Sequence, residues 1–175
     1  MVPAFILALV YWTPERAYLK SLALSIFLTA CLTDALDGWI ARRTGQKTRL
    51  GSLMDPMADK ILLTSAYLAF AWLPGLPDAA RVPTWLTVIV VSRDLMLVTG
   101  AAMIFMMQNR FDAATNFLGK ITTVLQMLLV LGVLAGVPSE ILQGLVFAVA
   151  AATVLSGAVY LKAGIAKLGG GTERA

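Results

Sequence analysis

Six apolar stretches, at about residues 1–12, 19–44, 52–73, 83–107, 117–135 and 140–162, are separated by breaks too short to hold a domain of their own. A membrane-spanning helix needs about 20 predominantly apolar residues, so the 175-residue chain has room for five or six such spans and little else. Only 14% of the residues are charged and 59% are hydrophobic, with a mean hydropathy of +0.81; ordinary soluble domains carry about 25% charge. The expected fold is all-α, a polytopic membrane helical bundle of about six transmembrane helices with the first one short. It forms a single integral membrane domain over residues 1–168, followed by a flexible tail at 169–175. The breaks carry their own signals: PGLPDAARVP at 74–83 has three prolines, and QNRFDAATN at 108–116 and GVPS at 136–139 are rich in turn residues. The opening MVPAFILALVYW is too short to cross alone and lacks the basic start and small-residue cleavage site of a signal peptide.

The side-chain inventory narrows the chemistry. There is no histidine and one cysteine, Cys31, so imidazole catalysis, a thiolate metal cluster and an intramolecular disulfide are all excluded. A metal site in this chain must use oxygen donors, which favours a hard cation. The net charge is +4, and its distribution is uneven: Arg42, Arg43, Lys47 and Arg49 crowd one loop, and Lys162, Lys167 and Arg174 lie near the C-terminus. Placing these on the cytoplasmic side also puts Arg110 and Lys120 there, and leaves Arg16, Lys20 and Arg81 outside.

Against this greasy background, four of the ten acidic residues fall between positions 34 and 59. A carboxylate in or beside hydrocarbon costs several kcal/mol unless a cation, a donor or water compensates it, so such a cluster marks a site. On a helix through the second apolar stretch, Asp34 and Asp37 are three residues apart and share a face. On a helix through the third, Gly51, Asp55 and Asp59 recur every four residues and share another. A short connection between the two helices brings the pairs together, which gives the carboxylates that a pair of divalent ions needs. Gly38 and Gly51 leave space beside the acids for a bulky ligand. Asp34 lies roughly 20 Å along a helix that starts at Lys20, which puts the cluster at the cytoplasmic edge of the bilayer.

Written out, residues 34–59 read D-x-x-D-G-x-x-A-R-x8-G-x-x-x-D-x-x-x-D. This pattern resembles the signature of the CDP-alcohol phosphotransferase family, with eight fixed positions in register over 26 residues. The resemblance implies a binuclear Mg²⁺ or Mn²⁺ site on Asp34, Asp37, Asp55 and Asp59, with Asp59 also deprotonating the acceptor hydroxyl. It implies contacts to the CDP moiety from Gly38, Arg42 and Thr48. The words DPMADK and LGKITTVLQM further resemble the branch that makes phosphatidylglycerophosphate, with some likeness to cardiolipin synthases. On that basis the chain is expected to transfer a phosphatidyl group from CDP-diacylglycerol to a polar alcohol, glycerol 3-phosphate first and phosphatidylglycerol as runner-up. The family commonly opens with a polar stretch and an N-x-x-T-x-x-R pattern, whereas MVPAF begins directly in an apolar run; either the true start lies upstream or the first helix is a stub. Expected partners are the lipid donor, the acceptor and membrane lipids, with a homodimer by family likeness and no nucleic acid. The expected location is a bacterial inner membrane.

Other features admit plainer readings. Arg93 and Asp94, inside the fourth stretch, are either an internal ion pair or a source of acceptor contacts, Arg93 then joining Arg110 and Lys120 around the acceptor phosphate. Cys31 reads as a small packing residue. Gly100, Gly132, Gly136, Gly144 and Gly157 read as positions of close helix packing, and the Trp and Tyr residues as lipid-facing or interfacial. A carboxylate-lined cation transporter and an inactive membrane scaffold are the rivals of another class. A transporter would place its carboxylates nearer the bilayer middle and leaves Gly38, Arg42 and Thr48 unexplained.

Overall fold

The computed structural model describes residues 2–13, 16, 18–44, 51–73, 81–108 and 117–169, with side chains at 4–13, 16, 18–33, 36, 60–73, 81–100 and 117–162. Among these residues the chain forms six α-helices and no strand: α1 (Val2–Val10), α2 (Tyr18–Thr44), α3 (Gly51–Trp72), α4 (Thr84–Gln108), α5 (Phe117–Ala135) and α6 (Ser139–Gly169). Each falls within a few residues of an apolar stretch in the sequence, except that α6 continues past 162 to Gly169.

Helix boundaries follow local chemistry. Pro83 and Pro138 stand immediately before α4 and α6, and their carbonyls accept the first-turn N–H groups of Leu86 and Ile141 at 3.0 and 3.1 Å. Proline costs nothing there, because the N–H it lacks would have had no helical partner. Gly136 ends α5 with φ of 78°. The N–H groups of Gly136 and Val137 both return to the carbonyl of Gly132 at 3.0 Å, a left-handed cap that satisfies carbonyls the helix would otherwise leave open. Lys20, from the start of α2, brings its Nζ against Gly136, a cation at the negative end of the α5 dipole.

Helix α5 packs along α6 and also meets α2 and α3; α4 bridges α3 and α6, and α1 lies on α2 and α3. The buried core draws on every helix: Phe5 and Leu9 of α1, Phe27 of α2, Tyr67 and Phe70 of α3, Leu86 and Val90 of α4, Leu129 and Leu134 of α5, and Val149 of α6. The Phe5 and Phe27 rings lie 5.6 Å apart. Helices α3 and α4 run antiparallel, since Val82 donates to the Phe70 carbonyl at 3.2 Å and Thr87 to the Tyr67 carbonyl at 3.4 Å. The same end of the bundle therefore gathers the end of α4 and the start of α3, while Lys20 and the α5–α6 turn share the opposite end.

The outer surface is apolar on several sides. Leu22, Leu32 and Leu36 of α2, Ile61 and Trp72 of α3, Val88 and Leu95 of α4, and Phe147, Val154 and Leu155 of α6 are all exposed, far more than a water-soluble monomer displays in contiguous patches. The hydroxyls on the exposed face of α2 turn inward: Ser25, Thr29 and Thr33 each donate to the carbonyl four residues back, at 2.7 to 2.9 Å. Among the described residues, 117–135 and 139–162 are long and apolar enough to cross a membrane, with mean hydropathies of 1.9 and 2.0. The segments 18–33 and 60–72 are shorter apolar runs.

Two groups of residues depart from their expected places. Tyr11, Tyr18, Trp72 and Trp85 are exposed as interfacial residues should be, but Trp12 and Tyr67 are core residues; a ring is amphipathic enough to serve either place. Gly100 and Gly132 lie against Tyr160 and Leu142, and Gly157 against Arg93 and Met96, whereas a Cβ at Gly144 would meet nothing within 4 Å. Gly144 is therefore not a packing position, and Gly136 is a helix cap. Cys31 packs, half-buried, against the core.

Candidate functional site

Asp34 and Asp37 fall on the second half of α2 and Asp55 and Asp59 on the first half of α3, in the helical register their spacing requires. Gly38 and Arg42 lie further along α2. The side chains of Asp34, Asp37, Gly38, Arg42, Asp55 and Asp59 lie outside the described residues, as do Thr48 and Arg110 altogether. Among the described residues no group of three or more His, Cys, Asp or Glu could hold a metal. The four aspartates offer a donor set of carboxylate oxygens alone, on two consecutive helices joined by six residues, 45–50. That donor set fits hard divalent ions such as Mg²⁺ or Mn²⁺.

One residue beyond Asp59 the side chains are described, and a charged network begins there. Lys60 Nζ of α3 lies 2.9 Å from Asp94 Oδ1 of α4. Arg93 Nη1 reaches the same oxygen at 2.7 Å. Arg93 Nη2 donates to Ser156 Oγ of α6 at 2.9 Å. The guanidinium also presses on α5: a Cβ added to Gly119 would lie 3.3 Å from Nη2, so the missing side chain is what lets α5 close over it. Three helices thus converge on Arg93, which is 7% exposed. Among the described residues its Nε has no hydrogen-bond partner. An arginine held this far from water needs its charge compensated by a partner, and Asp94 supplies the compensation.

Two cations share one carboxylate, so the cluster of Lys60, Arg93 and Asp94 carries a net positive charge one residue from Asp59. Lys60 and Asp94 also line a groove of about 360 Å³ between α3 and α4, otherwise walled by apolar or hydroxyl side chains including Thr64, Leu68, Leu95 and Val98. Lys120, next to Gly119, is exposed. Of the three cations expected around an acceptor phosphate, the structure therefore describes Arg93 as buried and ion-paired and Lys120 as exposed, with Arg110 outside the described residues. The ion-pair reading of Arg93 with Asp94 is realised. Lys60, Ser156 and Gly119 were not singled out from the sequence. A signal for Lys60 existed: apart from Asp55 and Asp59, the third and fourth apolar stretches hold two cations and one anion, Lys60, Arg93 and Asp94, and intramembrane charges pair.

The class these features define is an all-helical bundle with an apolar exterior, four aspartates on its second and third helices and a buried charged network joining its third and fourth. The chain belongs to the CDP-alcohol phosphatidyltransferase family, whose profile matches residues 1–156. It is 41% identical over 95 residues to a probable phosphatidylglycerophosphate synthase of Mycobacterium tuberculosis, covering 54% of this chain and 43% of that protein. It is 33% identical over 125 residues to the CDP-diacylglycerol–glycerol-3-phosphate 3-phosphatidyltransferase of Aquifex aeolicus, covering 71% and 66%. It is 43% identical over 79 residues to the CMP-forming cardiolipin synthase of Rattus norvegicus, covering 45% and 24%. The match thus spans less than half of the mycobacterial protein and just under two thirds of the Aquifex one. No solved structure matches the chain.

Proposed function

We propose that this protein is an integral membrane phosphatidyltransferase that moves a phosphatidyl group from CDP-diacylglycerol to glycerol 3-phosphate and releases CMP, in phospholipid biosynthesis. The observation that carries the reading is the eight-position pattern at 34–59, placed on α2 and α3 in a chain whose family match covers residues 1–156. Asp34, Asp37, Asp55 and Asp59 hold two Mg²⁺ or Mn²⁺ ions. Bound to these four aspartates, such ions would supply positive charge against the negative charge of the departing CMP. Asp59 accepts the proton of the acceptor hydroxyl; the freed oxygen attacks the phosphatidyl phosphorus, and the bond from that phosphorus to the CMP oxygen breaks, with CMP keeping the electron pair. Gly38, Arg42 and Thr48 hold the CDP moiety, and Arg110 and Lys120 attract the acceptor phosphate, with Arg93, committed to Asp94 and Ser156, contributing its charge at a distance rather than a direct contact.

Residues 1–168 form a single membrane domain of six helices with the site at the cytoplasmic face of a bacterial inner membrane. The exposed apolar side chains on α2, α3, α4 and α6 and the basic residues of the 42–49 loop support that placement. It puts the site where a lipid donor's headgroup and a water-borne acceptor meet. A homodimer is the expected assembly.

The similarity to a cardiolipin synthase favours a second reading, with phosphatidylglycerol as acceptor. The two separate by charge, because glycerol 3-phosphate presents a dianionic monoester and phosphatidylglycerol a monoanionic diester. The test is a pair of acceptor titrations on wild type, Arg110→Ala and Lys120→Ala with labelled CDP-diacylglycerol. Loss of a charge-assisted contact of about 1.5–3 kcal/mol raises KM for glycerol 3-phosphate about one to two decades and leaves the apparent affinity for the lipid donor unchanged. Turnover with phosphatidylglycerol and none with glycerol 3-phosphate replaces the first acceptor by the second.

A further inference from the structure

Lys60 and Arg93 both end on Asp94 Oδ1, but they are held differently. Arg93 is fixed on three sides, by Asp94 at 2.7 Å, by Ser156 at 2.9 Å and by the bare backbone of Gly119. Lys60 has the Asp94 contact alone among its described interactions, and its side chain is 30% exposed. Its ammonium sits on a flexible four-carbon stem. In the chain it directly follows Asp59 and comes little more than one helical turn after Asp55. Among the described side chains it is the cation nearest in sequence to those carboxylates, and so a competitor for an ion bound to them.

We propose that Asp94 is a positioning residue for the divalent-ion site: it draws the Lys60 ammonium across to α4 and so keeps it out of the aspartate cluster of α2 and α3. This rests on the four-aspartate reading above. The cause is the shared oxygen. While Asp94 is ionised, it offsets the repulsion between two neighbouring cations and holds both. Without its charge, Lys60 and Arg93 repel each other; Arg93 stays with Ser156, and the more exposed lysine moves toward the remaining negative charges, those of Asp55 and Asp59. Asp94 touches neither substrate nor metal in this scheme. It acts through Lys60.

The test is Mn²⁺ binding to the purified full chain in detergent, without lipid substrates, followed by the electron paramagnetic resonance signal of free Mn²⁺. Changing one unit charge about 10 Å from a dication in a largely aqueous dielectric alters its binding roughly fourfold. Asp94→Asn is therefore expected to weaken Mn²⁺ binding about three- to tenfold, Lys60→Gln to tighten it about two- to fourfold, and the double variant to match Lys60→Gln within about twofold, because Asp94 acts only through the lysine; a double variant that instead returns to the wild-type value marks two independent charges and overturns the inference. An ion pair that serves only to hold α3 on α4 shifts both single variants in the same direction, because each leaves one buried partner alone. Thermal unfolding of all variants separates misfolding from weakened binding, and if Asp94→Asn does not fold, Lys60→Gln and the double variant still decide the sign. Shifts in the same direction, or none, overturn the inference. Loss of Mn²⁺ binding in Asp55→Asn without opposite shifts at positions 60 and 94 overturns the inference and leaves the four-aspartate site standing. A wild type that binds no Mn²⁺ overturns both.

Discussion

Ser156→Ala removes the partner of Arg93 Nη2, and the structure offers no substitute. The guanidinium is 7% exposed, its Nε already has no hydrogen-bond partner among the described residues, and Nη1 is committed to Asp94. Two magnitudes compete. Hydrogen bonds to charged groups contribute about 1.5–3 kcal/mol, but polar pairs between membrane helices average only about 0.6 kcal/mol, because the membrane-embedded unfolded chain also finds partners. The charge and burial of Arg93 favour the upper figure, since leaving a buried guanidinium nitrogen without an acceptor forfeits its desolvation as well as the bond. A loss of about 1.5 kcal/mol corresponds to a midpoint lowered by about 3–6 °C for a domain of this size. The assay is thermal unfolding in detergent, read by tryptophan fluorescence, on wild type, Ser156→Ala, Arg93→Met and the double variant. The cycle is expected to return a coupling of about 1.5 kcal/mol between positions 93 and 156. A coupling indistinguishable from zero refutes the role given to Ser156 in anchoring the arginine.

Gly136→Ala forces a Cβ into a left-handed backbone, φ 78°, and against the Lys20 ammonium; a stability loss of about 1–2 kcal/mol is expected by the same unfolding assay, and an unchanged midpoint would contradict the cap. Lys47→Cys in a Cys31→Ala background reports orientation: a membrane-impermeant maleimide should reach position 47 only after the cells are opened, and labelling of intact cells from outside would contradict a cytoplasmic site.

Much of the fold was legible because lipid-facing and buried segments use the same apolar alphabet, and the interruptions are chemically sharp. Pro83, Gly136 and Pro138 mark boundaries that the structure places where their backbone chemistry requires. The helical register of Asp34 with Asp37 and of Asp55 with Asp59 was equally readable, since it depends only on spacing. What the sequence hid was partnership across helices. Arg93 and Asp94 are neighbours in the chain and an internal pair is one of the two readings their positions allow, but Ser156 is 63 residues from Arg93 and Lys60 is 34 from Asp94, and no local pattern links such positions. Gly119 was hidden for a related reason: in a membrane helix a glycine normally lets two backbones approach, and here it accommodates a guanidinium. Tyr67 and Trp12, which read from the sequence as lipid-facing or interfacial, are buried, because ring composition does not say which face of a helix a residue occupies.

The most direct measurement is CMP release from labelled CDP-diacylglycerol by purified protein, with glycerol 3-phosphate and Mn²⁺ or Mg²⁺, for wild type and for Asp34→Asn, Asp37→Asn, Asp55→Asn and Asp59→Asn. Each substitution removes one carboxylate charge and leaves the side chain's shape nearly unchanged, so the helices should still insert and the variants should still accumulate in the membrane. The four-aspartate site predicts acceptor- and metal-dependent CMP release by wild type and release at background in every variant. Activity retained by all four single variants, or wild-type release that a chelator does not affect, would contradict it.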